Sequence, residues 1–312
     1  MFTPSYIETH RTGKLAERIK KAWRILENCC LCPRQCEVNR LEDERGFCKT
    51  GRSALVSSFN PHFGEEDPLV GTNGSGTIFM TNCNLLCVFC QNWEISHQEQ
   101  GSEVHSKNLA GMMIQLKKMG CHNINFVTPT HVVPQILDAL PYAIEDGLNV
   151  PLVYNSGGYD AVETLKLLEG IFDIYMPDFK FWDPEMARRY LKAPDYPERA
   201  REALKEMHRQ VGDLNLNEKG IATKGILLRH LVMPEGIAGT RDIMRFVAKE
   251  ISPNTYVNIM DQYRPCGIAY KHKPLDRSIT TTEYNTALDE AREEGITRLD
   301  KRERRQIIFR WF

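Results

Sequence analysis

From residue 77 onward, short apolar runs alternate with helix-like segments six times, which restricts the chain to very few architectures. Strand-like runs lie near 77–82 and at 123–127, 150–154, 173–176, 225–232 and 255–260. Between the first two, Leu109, Met112, Met113 and Leu116 recur at helical spacing, with Gly120 as a stop. A helix is expected after His131, kinked or divided at Pro141, then across 183–211, over Gly239–Glu250 and near 281–294. Such units join parallel strands through right-handed crossovers, so six of them curl into an open barrel. The fold class is therefore α/β, a partial (β/α)6 TIM-like barrel. Catalytic groups in such barrels gather at the carboxyl ends of the strands.

The residues before the barrel differ in character. Positions 14–28 read as an amphipathic helix with Leu15, Ile19, Ala22, Trp23 and Leu26 on one face. Cysteines crowd 29–48, and 60–76 is rich in glycine, proline and acidic residues, which predicts a connector. The expected division is 1–70, a helix with a small Cys-rich metal-binding extension, and 71–312, the barrel with its carboxy-terminal helix and a basic, apolar-tipped tail. Forty Lys and Arg against 41 Asp and Glu leave a net charge of −1, without the basic footprint of a nucleic-acid binder. No apolar run approaches the roughly 18 residues of a membrane span. The first residues lack a secretory pattern, so ten cysteines point to a reducing cytoplasm and to metal ligation rather than disulfides.

One cysteine group sits where the first strand runs out. Thr77-Ile78-Phe79-Met80 leads into a loop holding Cys83, Cys87 and Cys90 at C-x3-C-x2-C spacing. Three thiolates this close can hold three irons of a [4Fe–4S] cluster, and no fourth cysteine is near. An iron without a protein ligand can bind a substrate as well as pass electrons. Zinc sites usually pair ligands as C-x2-C and close with four, which makes a zinc knot the weaker reading.

With Phe89 before the last cysteine, this triplet resembles the signature of the radical S-adenosylmethionine (SAM) superfamily. The resemblance implies that Cys83, Cys87 and Cys90 hold a [4Fe–4S] cluster whose open iron chelates SAM. One electron then cleaves the sulfonium bond, and a 5′-deoxyadenosyl radical abstracts hydrogen from substrate. It further implies that Ile78 and Phe89 line the adenosyl side. Strand two ends in Thr128-Pro129-Thr130-His131 where the glycyl-radical-activating branch has Gly-Gly-Glu, so either the hydroxyls of Thr128 and Thr130 or backbone carbonyls take over those contacts, or the segment is a strand-to-helix turn with a capping threonine. Asp178 and Lys180 resemble the family's Asp-x-Lys strand end. Arg229 points inward from strand five, while its neighbour His230 faces the helices. Asn155, with glycines after it that permit close ligand approach, and Gln262 and Tyr263 after strand six complete the expected SAM contacts.

The second group, Cys29, Cys32, Cys36 and Cys48, spaced C-x2-C-x3-C-x11-C, reads as another metal site, with Cys30 able to replace Cys29. Four thiolates suit zinc and an auxiliary iron–sulfur cluster alike. Cys121 and Cys266 read as isolated thiols, although Cys266 is placed to relay a hydrogen atom.

Over nearly the whole chain the order of elements resembles pyruvate formate-lyase-activating-enzyme-like proteins with an amino-terminal Cys-Leu-Cys-Pro-x-x-Cys segment. Landmarks are Arg229-His230-Leu231-Val232-Met233-Pro234, Asn258 to Pro265, and Glu283-Tyr284. This implies a glycyl-radical enzyme as substrate and a flavodoxin or ferredoxin as electron donor. Modification of another protein, a peptide or a small molecule is the alternative. A non-catalytic metal-binding or electron-transfer protein is the alternative of a different class.

Overall fold

The computed structural model describes residues 2–300; the expected tail lies, from 301 on, outside the described residues. The strands are β1 (Ala54–His62), β2 (Ser75–Met80), β3 (Ser102–Val104), β4 (Ile124–Val127), β5 (Leu152–Ser156), β6 (Ile174–Pro177), β7 (Asn215–Leu216), β8 (Ala222–Leu231) and β9 (Tyr256–Met260). They form one sheet in the order β3-β1-β2-β4-β5-β6-β8-β7, with β9 paired to β8. The run β2-β4-β5-β6-β8-β9 is parallel throughout. It is a partial (β/α)6 barrel, unclosed between β9 and β2.

Register divides the residues of each strand between two layers. One row, Ile78, Phe126, Tyr154, Tyr175 and Ile226, belongs to the same apolar core as Leu109 and Met113 of helix Ser106–Lys118 and Ile136 and Leu140 of helix Val133–Glu145. The alternate positions Val153, Ile174, Met176 and Leu227 form a separate inner cluster. Ile78 therefore packs toward the helices and not toward the interior, which corrects its expected place beside the adenosyl group.

Three local expectations need revision. Helix Val133–Glu145 runs on through Pro141 without dividing. Region 183–211 is two helices, Pro184–Leu191 and Tyr196–Val211, parted at Lys192 by a left-handed backbone (φ 53°). A helix at Ser5–Arg11 precedes the one expected, which runs Lys14–Ile25. It is tied to the barrel where Tyr6 donates to the Val150 carbonyl (2.9 Å) and Ser5 Oγ to Asp173 (2.7 Å).

The largest correction concerns 60–76. Residues 60–62 finish β1, which pairs antiparallel with β2. A short helix, Asp67–Val70, then inserts Leu69, fully buried, among the inner residues Val153, Ile174, Met176 and Leu227. Asn123 Nδ2 donates to the Leu69 carbonyl (2.9 Å) and holds the segment there. The supposed connector is a plug in the barrel interior. Leu69→Ala should lower unfolding free energy by about 2–5 kcal/mol in a denaturant titration, because a fully enclosed site cannot collapse around the void; a loss below ~1 kcal/mol would mean the segment is not wedged in the core.

Candidate active site

β2 ends at Met80 and opens into the cysteine loop, turned by left-handed backbone at Asn82 (φ 76°) and Leu86 (φ 55°). The sulfurs collect donors: the Leu85 N–H reaches Cys83 Sγ (3.3 Å), and Ser96 Oγ, in the following helix Trp93–His97, reaches Cys90 Sγ (3.2 Å). Burial pushes all three thiols above the usual thiol range, while the Lys180 ammonium opposes that rise at each of them. A single cation from the end of β6 thus faces Cys83, Cys87 and Cys90 together.

Lys180 leads inward to a layer of linked polar side chains. Its Nζ contacts Asp178 Oδ2 (2.5 Å), and Asp178 Oδ1 accepts from Arg229 Nε (2.8 Å). Arg229 Nη2 donates to Asn155 Oδ1 (2.8 Å), and Nη1 lies 3.7 Å from Glu65 Oε2. Asn258 Nδ2 donates to Glu66 Oε1 (2.7 Å). Parallel pairing sets this layer, since Arg229 stands opposite both Asp178 and Asn258. Burial alone would raise the Asp178 carboxyl, but Arg229 and Lys180 outweigh it and hold the group below the usual carboxylate range. Glu66 goes the other way: burial raises it despite Arg229 and Asn258, and its Oε2 has no hydrogen-bond partner. Asp178 meets both cations of the layer, Lys180 and Arg229.

The expected residues Asn155, Asp178, Lys180 and Arg229 are brought together; several others are not. Thr130 donates its hydroxyl to Asp160 Oδ1 (2.7 Å), a fully buried carboxylate that also accepts from Tyr154 (2.9 Å) and Ser156 (2.6 Å). Thr128, with left-handed backbone (φ 60°), donates its N–H to the Asn155 carbonyl (2.8 Å). Tyr263 is buried with its hydroxyl on the Leu275 carbonyl (2.7 Å), and its ring meets Phe89, which also packs on Phe181. Gln262 Nε2 lies 3.7 Å from Met260 Sδ. His230 bonds Phe179 O (2.8 Å) and Thr240 Oγ1 (2.9 Å) on the helix side. A Cβ on Gly158 (φ 78°) would lie 2.2 Å from the Asp178 carbonyl, so the close approach there is between strands. Glu65, Glu66 and Asp160 were missed; a buried carboxylate is recognisable only once its partner is known.

The amino-terminal cysteines lie against this loop. Cys29, Cys32, Cys36 and Cys48 line one small cavity with Arg40 and His131. Arg34 Nε donates to the Asn84 carbonyl (2.9 Å), while the Asn84 side chain bonds Cys32, whose thiol burial pushes up to about 12. Asn84 is therefore shared by both cysteine groups. His131 Nε2 sits 2.8 Å from the Thr81 carbonyl, and burial together with Arg40 pushes its pKa down to about 4. Among the described residues no three His, Cys, Asp or Glu side chains already stand close enough to hold a metal ion. The amino-terminal cysteines thus surround a shared space without closing on it. A further groove of about 650 Å³, between Trp182 and Gly239, is lined by none of these cysteines or polar-layer residues.

The radical SAM superfamily profile matches residues 77–218. An uncharacterized protein of Methanocaldococcus jannaschii is 35% identical over 293 residues, covering 91% of this chain and 80% of that protein. The chain belongs to the radical SAM superfamily, and membership implies a [4Fe–4S] cluster and SAM. The chain is also similar to a solved structure of native anSMEcpe with bound AdoMet (TM-score 0.43, 12% identity, 68% of this chain), of which it spans 57%. Among the described residues no helix is long and apolar enough to cross a membrane. The donor set fits the implied cluster in kind: three thiols on one loop, N–H and hydroxyl donors to their sulfurs, and a cation beside them.

The Glu66 carboxyl has a folded-state pKa above its ordinary 4.5, so folded protein holds that proton more tightly than unfolded chain does. Its contribution to stability is complete below the unfolded pKa and is lost as pH rises through the folded one. Glu66→Gln should therefore match wild type in thermal scans near about pH 4 and melt about 2–4 °C higher at about pH 8. A pH-independent difference would contradict a raised Glu66 pKa.

Proposed function

We propose that this chain is an enzyme that reductively cleaves SAM and abstracts hydrogen from a substrate, with Cys83, Cys87 and Cys90 as the cluster ligands. One observation carries the reading: Lys180, paired with Asp178 in the buried polar layer, is also the cation whose charge acts on all three thiols of the loop. When bound, the cluster and SAM supply one electron and, from the cleaved sulfonium bond, the radical that takes the hydrogen atom.

The chain's own residues bind and orient. Deprotonated Cys83, Cys87 and Cys90 anchor the cluster, and the Leu85 N–H and Ser96 hydroxyl steady the Cys83 and Cys90 sulfurs. Lys180 offsets the anionic charge and is the group to meet the SAM carboxylate. Asp178 holds Lys180 and Arg229 in place, and Asn155 fixes the Arg229 fork. Phe89 walls the site from the side of Tyr263 and Phe181. A glycyl-radical enzyme is the first substrate to try, with a flavodoxin or ferredoxin as electron donor in the cytoplasm, on the strength of the strand-end landmarks. The amino-terminal thiols Cys29, Cys32, Cys36 and Cys48 hold a second metal.

Anaerobic reconstitution followed by dithionite and SAM is the test. The wild type should give a SAM-dependent change in the paramagnetic spectrum of the reduced cluster and release 5′-deoxyadenosine. Cys87→Ala should lose both to background. If it cleaves SAM at the wild-type rate, the ligand assignment is wrong. Deuterium passing from a glycine-labelled partner into deoxyadenosine would separate glycyl-radical activation from other substrates.

A further inference from the structure

Two residues that line the cavity among the amino-terminal cysteines each carry a buried polar atom without a partner. Arg40 is 1% exposed; its Nε donates to the Gly51 carbonyl (3.0 Å) and its Nη1 to the His131 carbonyl (2.9 Å), but Nη2 has no partner. His131 is 1% exposed as well, and its Nδ1 is likewise unpartnered. Since Nε2 faces the Thr81 carbonyl, an acceptor, that nitrogen carries the ring proton and Nδ1 carries the lone pair. A histidine whose other ring nitrogen donates to a backbone carbonyl has the orientation usual in metal-ligating imidazoles. An unsatisfied donor and an unsatisfied acceptor in one thiol-lined pocket ask for an occupant that is cationic at its centre and anionic at its sulfurs.

We propose that this pocket binds one zinc ion, with His131 Nδ1 as a ligand beside thiolates from the set Cys29, Cys32, Cys36 and Cys48. The inference rests on the second-metal reading of those cysteines and chooses both the metal and an additional ligand. The lining favours a single ion over a cluster: it sets an imidazole beside the thiols, whereas iron–sulfur clusters are usually held by cysteine thiolates alone. Four-coordinate closure then takes three sulfurs and one nitrogen, a regular structural zinc set. Zinc with three thiolates and a neutral imidazole carries one net negative charge, which the buried Arg40 guanidinium offsets. Sulfur acceptors are already supplied with donors: the Phe47 N–H reaches Cys36 Sγ (3.3 Å), Arg40 Nη1 lies 3.9 Å from Cys29 Sγ, and Asn84 reaches Cys32. Because His131 follows the end of β4, the ion would fasten the extension to a strand end of the barrel and, through the Thr81 carbonyl, to the loop of Cys83.

A single water would satisfy the same two atoms, so the test must read the metal directly. The full-length chain carrying Cys83→Ser, Cys87→Ser and Cys90→Ser, which removes competing thiols, is titrated with zinc and with cobalt(II). One equivalent should bind, and cobalt should show the charge-transfer intensity of three thiolates and the ligand field of mixed sulfur–nitrogen coordination. His131→Ala should weaken zinc by at least about 100-fold, beyond what loss of an outer-shell partner costs. His131→Cys should restore binding with a four-thiolate spectrum, a rescue that a purely structural role for the ring would not produce. A His131→Ala protein with wild-type affinity and spectrum overturns the histidine ligation alone. A parent chain that takes up neither ion overturns the second-metal reading with it, and leaves the SAM chemistry of the first cysteine group untouched.

Discussion

One guanidinium joins the parts of the barrel interior. Arg229 on β8 donates to Asp178 after β6 and to Asn155 on β5, and lies beside Glu65 from the plug, so three strand ends and one inserted segment meet on a single side chain. Arginine suits the position because its planar fork presents several donors at fixed angles and keeps its charge when buried. Burying it is expensive, and the cost is offset because its hydrogen-bond and ion-pair partners are carboxylates and an amide oxygen; removing one partner of such a pair typically costs about 3–5 kcal/mol. The same constraint orders the site. With Asp178 held by Arg229 on one oxygen, its other oxygen is left to fix Lys180, and Lys180 is the cation that faces the cysteine loop.

The residues before the barrel act on the same loop from its other side. Arg34 lies over the Phe47 ring (3.7 Å) and donates to the carbonyls of Asn84 and Leu191 (2.9 and 3.0 Å), tying the Cys32–Cys36 turn to the Cys83 loop and to the helix after β6. Asn82 reaches Thr50, two residues past Cys48 (3.1 Å). These bonds make the conformation of one cysteine group depend on the other, so disturbance of the amino-terminal turn is transmitted to the loop by packing and hydrogen bonds without any electron passing between them.

The parallel strands were legible because each is a short apolar run bounded by polar residues or glycine, and alternation within β8 separates Arg229 from His230 without any coordinates. β1 was hidden for the opposite reason. Its second half, Ser57 to His62, is mostly polar, half-buried to exposed, and contains Pro61, which is tolerated at this place in the sheet but reads as loop. The plug was hidden by composition: Glu65, Glu66 and Pro68 look like a solvated link until Arg229 and Asn258 supply partners more than 150 residues away. Hydroxyls were the least legible groups. Thr130 and Tyr263 sit near strand ends as expected, yet their oxygens bond Asp160 and the Leu275 carbonyl, and only tertiary packing decides such a direction.

Charge around the cysteine loop explains why the site is both buried and prepared. A buried thiol resists ionisation, and burial raises Cys83, Cys87 and Cys90 alike. Metal ligation requires the thiolate, so binding must expel three protons from an apolar setting. Lys180 lowers that barrier from one side, and the Leu85 N–H and Ser96 hydroxyl lower it at individual sulfurs. None of these groups offsets three thiolates alone, and most of the compensating charge has to come from a multivalent cationic centre. The apolar wall of Phe89 and Val88 then works in favour of the ligated state, because it excludes the water that would otherwise compete for the sulfurs and strengthens each remaining electrostatic contact.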